Sequence, residues 1–164
     1  MAIHVYTGDG KGKTTCAAGL AARCAGRGGT VFFYQFLKSE ESGECIALKD
    51  KVHFKRVSEP FGFVFQMTDE EKAHVGKLMY ALWQEAKTQK CDMLVLDEIF
   101  SAMQYGFIPE FEVLAFLNTA SAEVVLTGRN APESFIETAD YVTEMKAVKH
   151  IFEKGVPARE GIEY

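Results

Sequence analysis

The chain has 164 residues, of which 48% are apolar and 25% charged, and a formal charge of −5. That length and balance belong to one ordinary globular domain, so residues 1–164 are read as a single unit. No apolar run approaches the roughly 20 residues a membrane span needs, and no basic block leaves the footprint of a nucleic-acid binder.

A strand is expected over residues 3–6, which leaves no room for a signal peptide and points to a cytoplasmic protein. Its four cysteines, Cys16, Cys24, Cys45 and Cys91, are then expected as free thiols, and none is spaced for structural zinc. An alanine-rich helix follows from about residue 13 to residue 24, ending at Gly26, with Cys16 expected as a small packing residue beneath the preceding loop. Residues 30–37 form a nearly continuous apolar run, as in a strand covered on both faces. A short strand is read over 53–57. Thr68 with Glu71 three residues on is a capping box that opens a helix to about residue 90. A buried strand over 93–96, a helix from Pro109 to about 119, a strand over 124–126, a short helix opened by Pro132 and a strand over 141–145 complete the series. Strand and helix patterns that alternate in this way specify an α/β fold. The expectation is a P-loop NTPase-like, mostly parallel sheet with helices on both faces.

Between the first strand and the first helix the chain reads T-G-D-G-K-G-K-T-T, from Thr7 to Thr15. Glycines there let backbone N–H groups turn toward an anion, and the helix start adds its positive dipole end. Lys13 would give the phosphates a point charge, and Thr14 a hydroxyl to a magnesium ion. The usual spacing G-x-x-x-x-G-K-S/T puts a glycine where Thr7 stands, while Gly8 and Gly10 fall inside the loop. A β-branched residue at that position implies a different loop path.

Asp97 and Glu98 end the apolar strand over 93–96, where acidic residues in such folds place oxygens beside phosphates and magnesium. Spacing does not decide between the two. Arg129 follows the strand over 124–126 at the same carboxyl edge, positioned to reach phosphate oxygens or else to pair with Glu133. The stretch E-P-F-G-F-V-F-Q at 59–66 sets Phe61, Phe63 and Phe65 at strand spacing, yet Pro60 and Gly62 argue for a loop lining a pocket for a flat ligand.

Taken together, V-Y-T-G-D-G-K-G-K-T-T, Q-F-L-K, G-F-V-F, L-D-E, L-T-G-R, T-E-M-K-A-V-K-H and the closing G-V-P-A-R-E-G-I-E-Y resemble the P-loop type of ATP:corrinoid adenosyltransferase from end to end. The resemblance implies transfer of the 5′-deoxyadenosyl group of ATP to the Co(I) of a corrinoid, with release of tripolyphosphate. It implies that Thr7, Gly8, Asp9, Gly10, Lys11, Gly12, Lys13, Thr14 and Thr15 hold the nucleotide, in a reversed sense, with Arg23 and Arg129 beside it. Thr14 and Glu98 are the expected magnesium partners, with Asp97 adjacent. Phe63 and Phe65 are expected to wedge beneath the corrin, although Phe65 stands where the family usually has tryptophan. ATP, Mg2+ and the corrinoid are the implied small molecules, an electron donor reduces Co(II), and a homodimer is the implied assembly. The family's opening is often longer than the one here.

Two other readings fit the loop. A P-loop ATPase or small-molecule kinase would yield ADP, and a carrier would hold corrinoid or nucleotide without turnover. The loop anomaly and the aromatic stretch speak against the first.

Overall fold

The computed structural model describes residues 1–163; Tyr164, the last residue of the closing motif, lies outside the described residues. Six strands form one sheet, every neighbouring pair parallel. They are β1 (Ile3–Thr7), β2 (Val31–Gln35), β3 (His53–Arg56), β4 (Met93–Asp97), β5 (Glu123–Thr127) and β6 (Tyr141–Glu144). Their order across the sheet is β3-β2-β4-β5-β1-β6. The helices are α1 (Lys13–Gly26), α2 (Gly43–Leu48), α3 (Asp69–Ala86), α4 (Ile99–Gln104), α5 (Glu110–Leu117) and α6 (Glu133–Thr138).

Two hydrophobic layers sandwich the sheet, because successive strand residues face opposite sides. On one side Tyr6, Phe33, Val95 and Val125 pack against Ala17, Ala18 and Ala21 of α1. The alanines let that helix lie close under the strands. On the other, Val5, Tyr34, Leu94, Leu96 and Leu126 meet Met79 and Trp83 of α3, Ile99 and Phe100 of α4, Val113 of α5 and Phe135 of α6. The expected class is the one observed, with the sheet parallel throughout. The buried run of β4, without one exposed residue, is the two-sided cover its sequence called for.

Most element boundaries lie within a few residues of expectation. The capping box of α3 is present, with Thr68 and Glu71 bonded reciprocally. That helix stops at Ala86, short of residue 90, because the Thr88 hydroxyl and the Gln89 amide both bond the Glu85 carbonyl and close a turn there. Two helices had no expectation. α4 is an apolar continuation of the β4 run, and the boundary between them is a left-handed Glu98 that composition does not mark. α2 is six residues long with neither Pro nor Gly to open it by pattern beyond Gly43 itself. No described helix is long and apolar enough to cross a membrane.

Candidate active site

The loop after β1 owes its path to the chain leaving β6. Thr7 is the last residue of β1, not a loop residue, and its hydroxyl accepts the Ala131 N–H at 3.1 Å. The left-handed turns fall instead at Gly8 (φ 98) and Gly12 (φ 113). A Cβ at Gly8 or at Gly10 would come to 2.5 Å from the Met145 carbonyl oxygen, so the two inner glycines are required by close backbone approach. Gly10 N–H donates to that carbonyl at 2.6 Å, and Met145 N–H donates to Thr7 O at 2.8 Å. The Asp9 carboxylate accepts the Ala147 N–H at 3.1 Å, the main reason its pKa is lowered. The missing first glycine and the two extra ones therefore have one cause.

Lys13 opens α1 and is buried, with Nζ donating to Gly8 O at 2.7 Å and Gly10 O at 2.8 Å. Burial pulls its pKa down; Glu98 is the largest charge pulling the other way. The next residue, Thr14, reaches across to the end of β4, where its hydroxyl donates to Asp97 Oδ1 at 2.9 Å. Asp97 is wholly buried and accepts two further hydrogen bonds, from Thr127 Oγ1 on Oδ1 at 2.6 Å and from Lys38 Nζ on Oδ2 at 2.9 Å. Thr127 in turn accepts the Glu98 N–H at 2.9 Å, where Glu98 adopts a left-handed conformation (φ 60). Ser101 Oγ donates to Glu98 Oε2 at 2.8 Å.

Lys13, Thr14, Lys38 and Glu98 line one cavity of about 660 Å³ at the carboxyl edge of the sheet, with Asp97 behind them. Gly10, Lys11, Gly12, Lys13, Thr14 and Thr15 form one wall, and Glu98 and Arg129 lie beside them. Phe61, Gly62 and Phe63 line the same cavity. The aromatic segment is a loop ending in a 3-10 turn, Val64–Gln66, as Pro60 and Gly62 suggested. Phe63 and Phe65 are 69% and 70% exposed and stack on each other at 5.5 Å between centroids. Only Phe61 packs against the core.

Arg129 is exposed at the cavity and, among the described residues, makes no ion pair with Glu133. Arg23 lies on the exposed face of α1 outside this cavity, close enough to Tyr6 for its charge to act on that phenol. Burial still pushes Tyr6 up to about 12. Cys16 is exposed, which corrects the packing role expected for it; Ala17, Ala18 and Ala21 take the face toward the sheet. Sequence reasoning from spacing also missed the closing segment. Ile162 and Glu163 line the cavity, and Lys11 Nζ donates to the Ile162 carbonyl and to Glu163 Oε1, the latter at 3.2 Å. Arg159 grips Glu163 at 3.0 Å and lowers its carboxyl to about 2. No periodicity marks such a strap; only the tail motif carried a signal.

A phosphate-type loop, the Glu98 carboxylate just past the end of β4 and the exposed Phe63 around one cavity are the features of a nucleotide-binding site, with Asp97 behind the wall and Phe65 outside the lining. The model of the ATP:corrinoid adenosyltransferase family BtuR/CobO/CobP matches residues 1–164, and the chain belongs to that family. Corrinoid adenosyltransferase CobA of Salmonella typhimurium is 37% identical over 177 residues, covering 99% of this chain and 85% of that protein. Corrinoid adenosyltransferase of Escherichia coli strain K12 is 36% identical over 170 residues, with 99% and 85% covered. Among solved structures, the flagellar accessory protein FlaH of Methanocaldococcus jannaschii matches with a TM-score of 0.55 at 14% identity, over 87% of this chain and 70% of that one. At that identity the likeness concerns the fold alone.

Proposed function

We propose that the protein transfers the 5′-deoxyadenosyl group of ATP to the Co(I) of a corrinoid and releases tripolyphosphate. The observation that carries this is a cavity lined both by the phosphate loop and by the loop of Phe61 to Phe63. The electron pair of Co(I) attacks the ribose C5′, a cobalt–carbon bond forms, and the C5′–O bond breaks with its electrons leaving on the triphosphate. No side chain need act as nucleophile or base. The work of the chain is to hold C5′ and cobalt in line and to meet the charge of the leaving group.

Residues 8–15 hold the triphosphate, with Lys13 as its cation and Arg129 at the rim. Lys13 exchanges the carbonyls of Gly8 and Gly10 for phosphate oxygens. Thr14 Oγ1, fixed by buried Asp97, and the Glu98 carboxylate are hard oxygen donors of the kind Mg2+ takes together with phosphates. Among the described residues no group of three or more His, Cys, Asp or Glu could hold a metal by itself, which suits an ion brought with the nucleotide. Bound there, Mg2+ would supply charge neutralisation to the departing triphosphate. Phe63 and Phe65, stacked and exposed, support the wedge beneath the corrin. Arg23 takes part only if the nucleotide extends beyond this cavity toward α1. The reaction draws on an external electron donor for Co(II), and we place it in the cytoplasm on a homodimer, as the family resemblance implies.

Mixing the protein with ATP, Mg2+ and a chemically reduced corrinoid tests the reading. The expected outcome is the absorption change of a cobalt–carbon bond together with stoichiometric tripolyphosphate. Release of ADP without that change would establish the ATPase or kinase reading instead.

A further inference from the structure

Lys38 stands outside the loop and outside the acidic strand end, yet its ammonium lies 2.9 Å from Asp97 Oδ2 at the cavity wall. The chain bends sharply to bring it there. Leu37, just past the end of β2, has φ 56, a left-handed conformation that is strained for a residue with a Cβ. Its N–H finds only the Met79 sulfur, at 3.3 Å, a weak acceptor. Strain of this sort persists where surrounding structure over-determines it, and it gathers at functional sites. Among the described residues, those other than glycine with positive φ are Leu37, Glu98 and Asn130, each just beyond the carboxyl end of one of three adjacent strands, β2, β4 and β5. Two of the three turns deliver a charged side chain to the same cavity, Lys38 directly after Leu37 and Glu98 itself.

The partner of Lys38 decides what the turn is for. A carboxylate with no exposed surface needs its charge compensated. Oδ1 of Asp97 is occupied by two hydroxyls, from Thr14 and Thr127, and Lys38 is the cation on Oδ2. Burial alone would lower the Lys38 pKa, but the Asp97 carboxylate, with Glu98 and Glu44 adding to it, holds the amine above its ordinary value. The Lys38 side chain remains 31% exposed, so it has access to solvent and stays on Asp97 because of that charge.

We propose that Lys38 is a positioning residue for the nucleotide's phosphates, acting through Asp97 rather than by touching the triphosphate. Pinned on Oδ2, Asp97 offers Oδ1 to the Thr14 proton, which leaves the lone pairs of Thr14 Oγ1 for a hard cation carried on the phosphates. Without Lys38, nothing holds Oδ2 in place, the carboxylate is free to turn, and the Thr14 hydroxyl loses its fixed direction. The inference rests on the nucleotide reading above, and extends it to a residue three positions past the end of a different strand.

The test is ATP affinity by calorimetry, with and without Mg2+, in the wild type, Lys38→Met, Asp97→Asn and the double variant. Each single change is expected to reduce the Mg2+-dependent gain in affinity by about 10–100-fold, the usual effect of losing a residue that orients a ligand. The double variant is expected to match either single one, and affinity without Mg2+ is expected to stay as in the wild type. Losses that multiply in the double variant, or a Lys38→Met loss of the same size without Mg2+, would overturn the proposal and make Lys38 a direct phosphate contact. Melting temperatures separate a merely structural ion pair: Lys38→Met lowers melting, the double variant restores it, and affinity stays low. Affinity that returned with melting would reject the positioning role. Should Lys38→Met not fold, Lys38→Gln, which keeps one donor, takes its place in the same cycle. Because binding is read without cobalt, a wild type that gains ATP affinity from Mg2+ but makes no cobalt–carbon bond refutes the transfer reaction and leaves the Lys38 assignment standing. A wild type with no Mg2+-dependent affinity refutes both.

Discussion

Lys13 is the side chain on which the leaving-group chemistry depends most directly. Its two bonds to loop carbonyls keep a buried ammonium satisfied, and phosphate oxygens would replace them with charged acceptors. Lys13→Ala is expected to fold and to lose on the order of 10²–10³ in turnover, the usual cost of removing one preorganised electrostatic contact. Near-normal turnover would contradict the role given to it. Phe63 and Phe65 pose the opposite question, whether an aromatic stripe is core or tool. Their exposure rules out core packing, where truncation would cost about 3–5 kcal/mol. Phe63→Ala and Phe65→Ala are therefore expected to shift stability by no more than about 0.5 kcal/mol. Both should slow the reaction begun from Co(II) far more than the one supplied with Co(I), because the wedge acts on ligand loss and reduction. Equal losses from the two starting states would reject the wedge.

Among the elements, the phosphate loop shows what a sequence can and cannot reveal. Thr7, Gly8, Gly10 and Gly12 announced a nonstandard path, and the strand-loop-helix order placed it correctly. The cause of the path was invisible, because it is the backbone of Met145, on the far side of the chain in sequence and against the loop in space. Gly10→Ala should therefore displace the loop or the strand exit and cost about 1–3 kcal/mol, an overpacking effect, together with ATP binding. Gly62→Ala, which meets no atom within 4 Å, should leave melting unchanged. Differential scanning of the two variants checks this. The closing strap was legible only as a motif, since contacts between Lys11, Arg159 and Glu163 follow no period. Glu163 has its carboxyl lowered from 4.5 to about 2, so the strap's contribution is fully present above pH 4.5 and is lost as pH falls toward 2. Amide exchange in residues 155–163, corrected for intrinsic rates, should be steady from pH 7 to 4.5 and rise below it. A rise that began near neutrality would show that Glu163 does not hold the strap.

At the scale of the whole molecule, the alternation of apolar strands and helices made the α/β class legible, and the buried runs of β2 and β4 located the sheet's centre. What stayed hidden were the junctions. Leu37 and Glu98 turn left-handed with no glycine to signal it, and so the approach of Lys38 to Asp97 across two strands had no local mark. Propensity describes a residue's own backbone preferences, and these turns are imposed by neighbours distant in sequence.

The contact between Gly10 and Met145 also sets an order of events in the cell. A chain emerging from the ribosome presents the phosphate motif long before the carbonyl and amide of Met145 that shape it, which follow β6. A nascent chain arrested with residue 140 just outside the ribosome should retain no labelled ATP, whereas the released full-length chain should. If the arrested chain already held nucleotide, Met145 would not be what shapes the loop. The site is therefore expected to mature only once β6 has emerged, so that a chain still lacking that strand neither captures ATP nor gains stability from it.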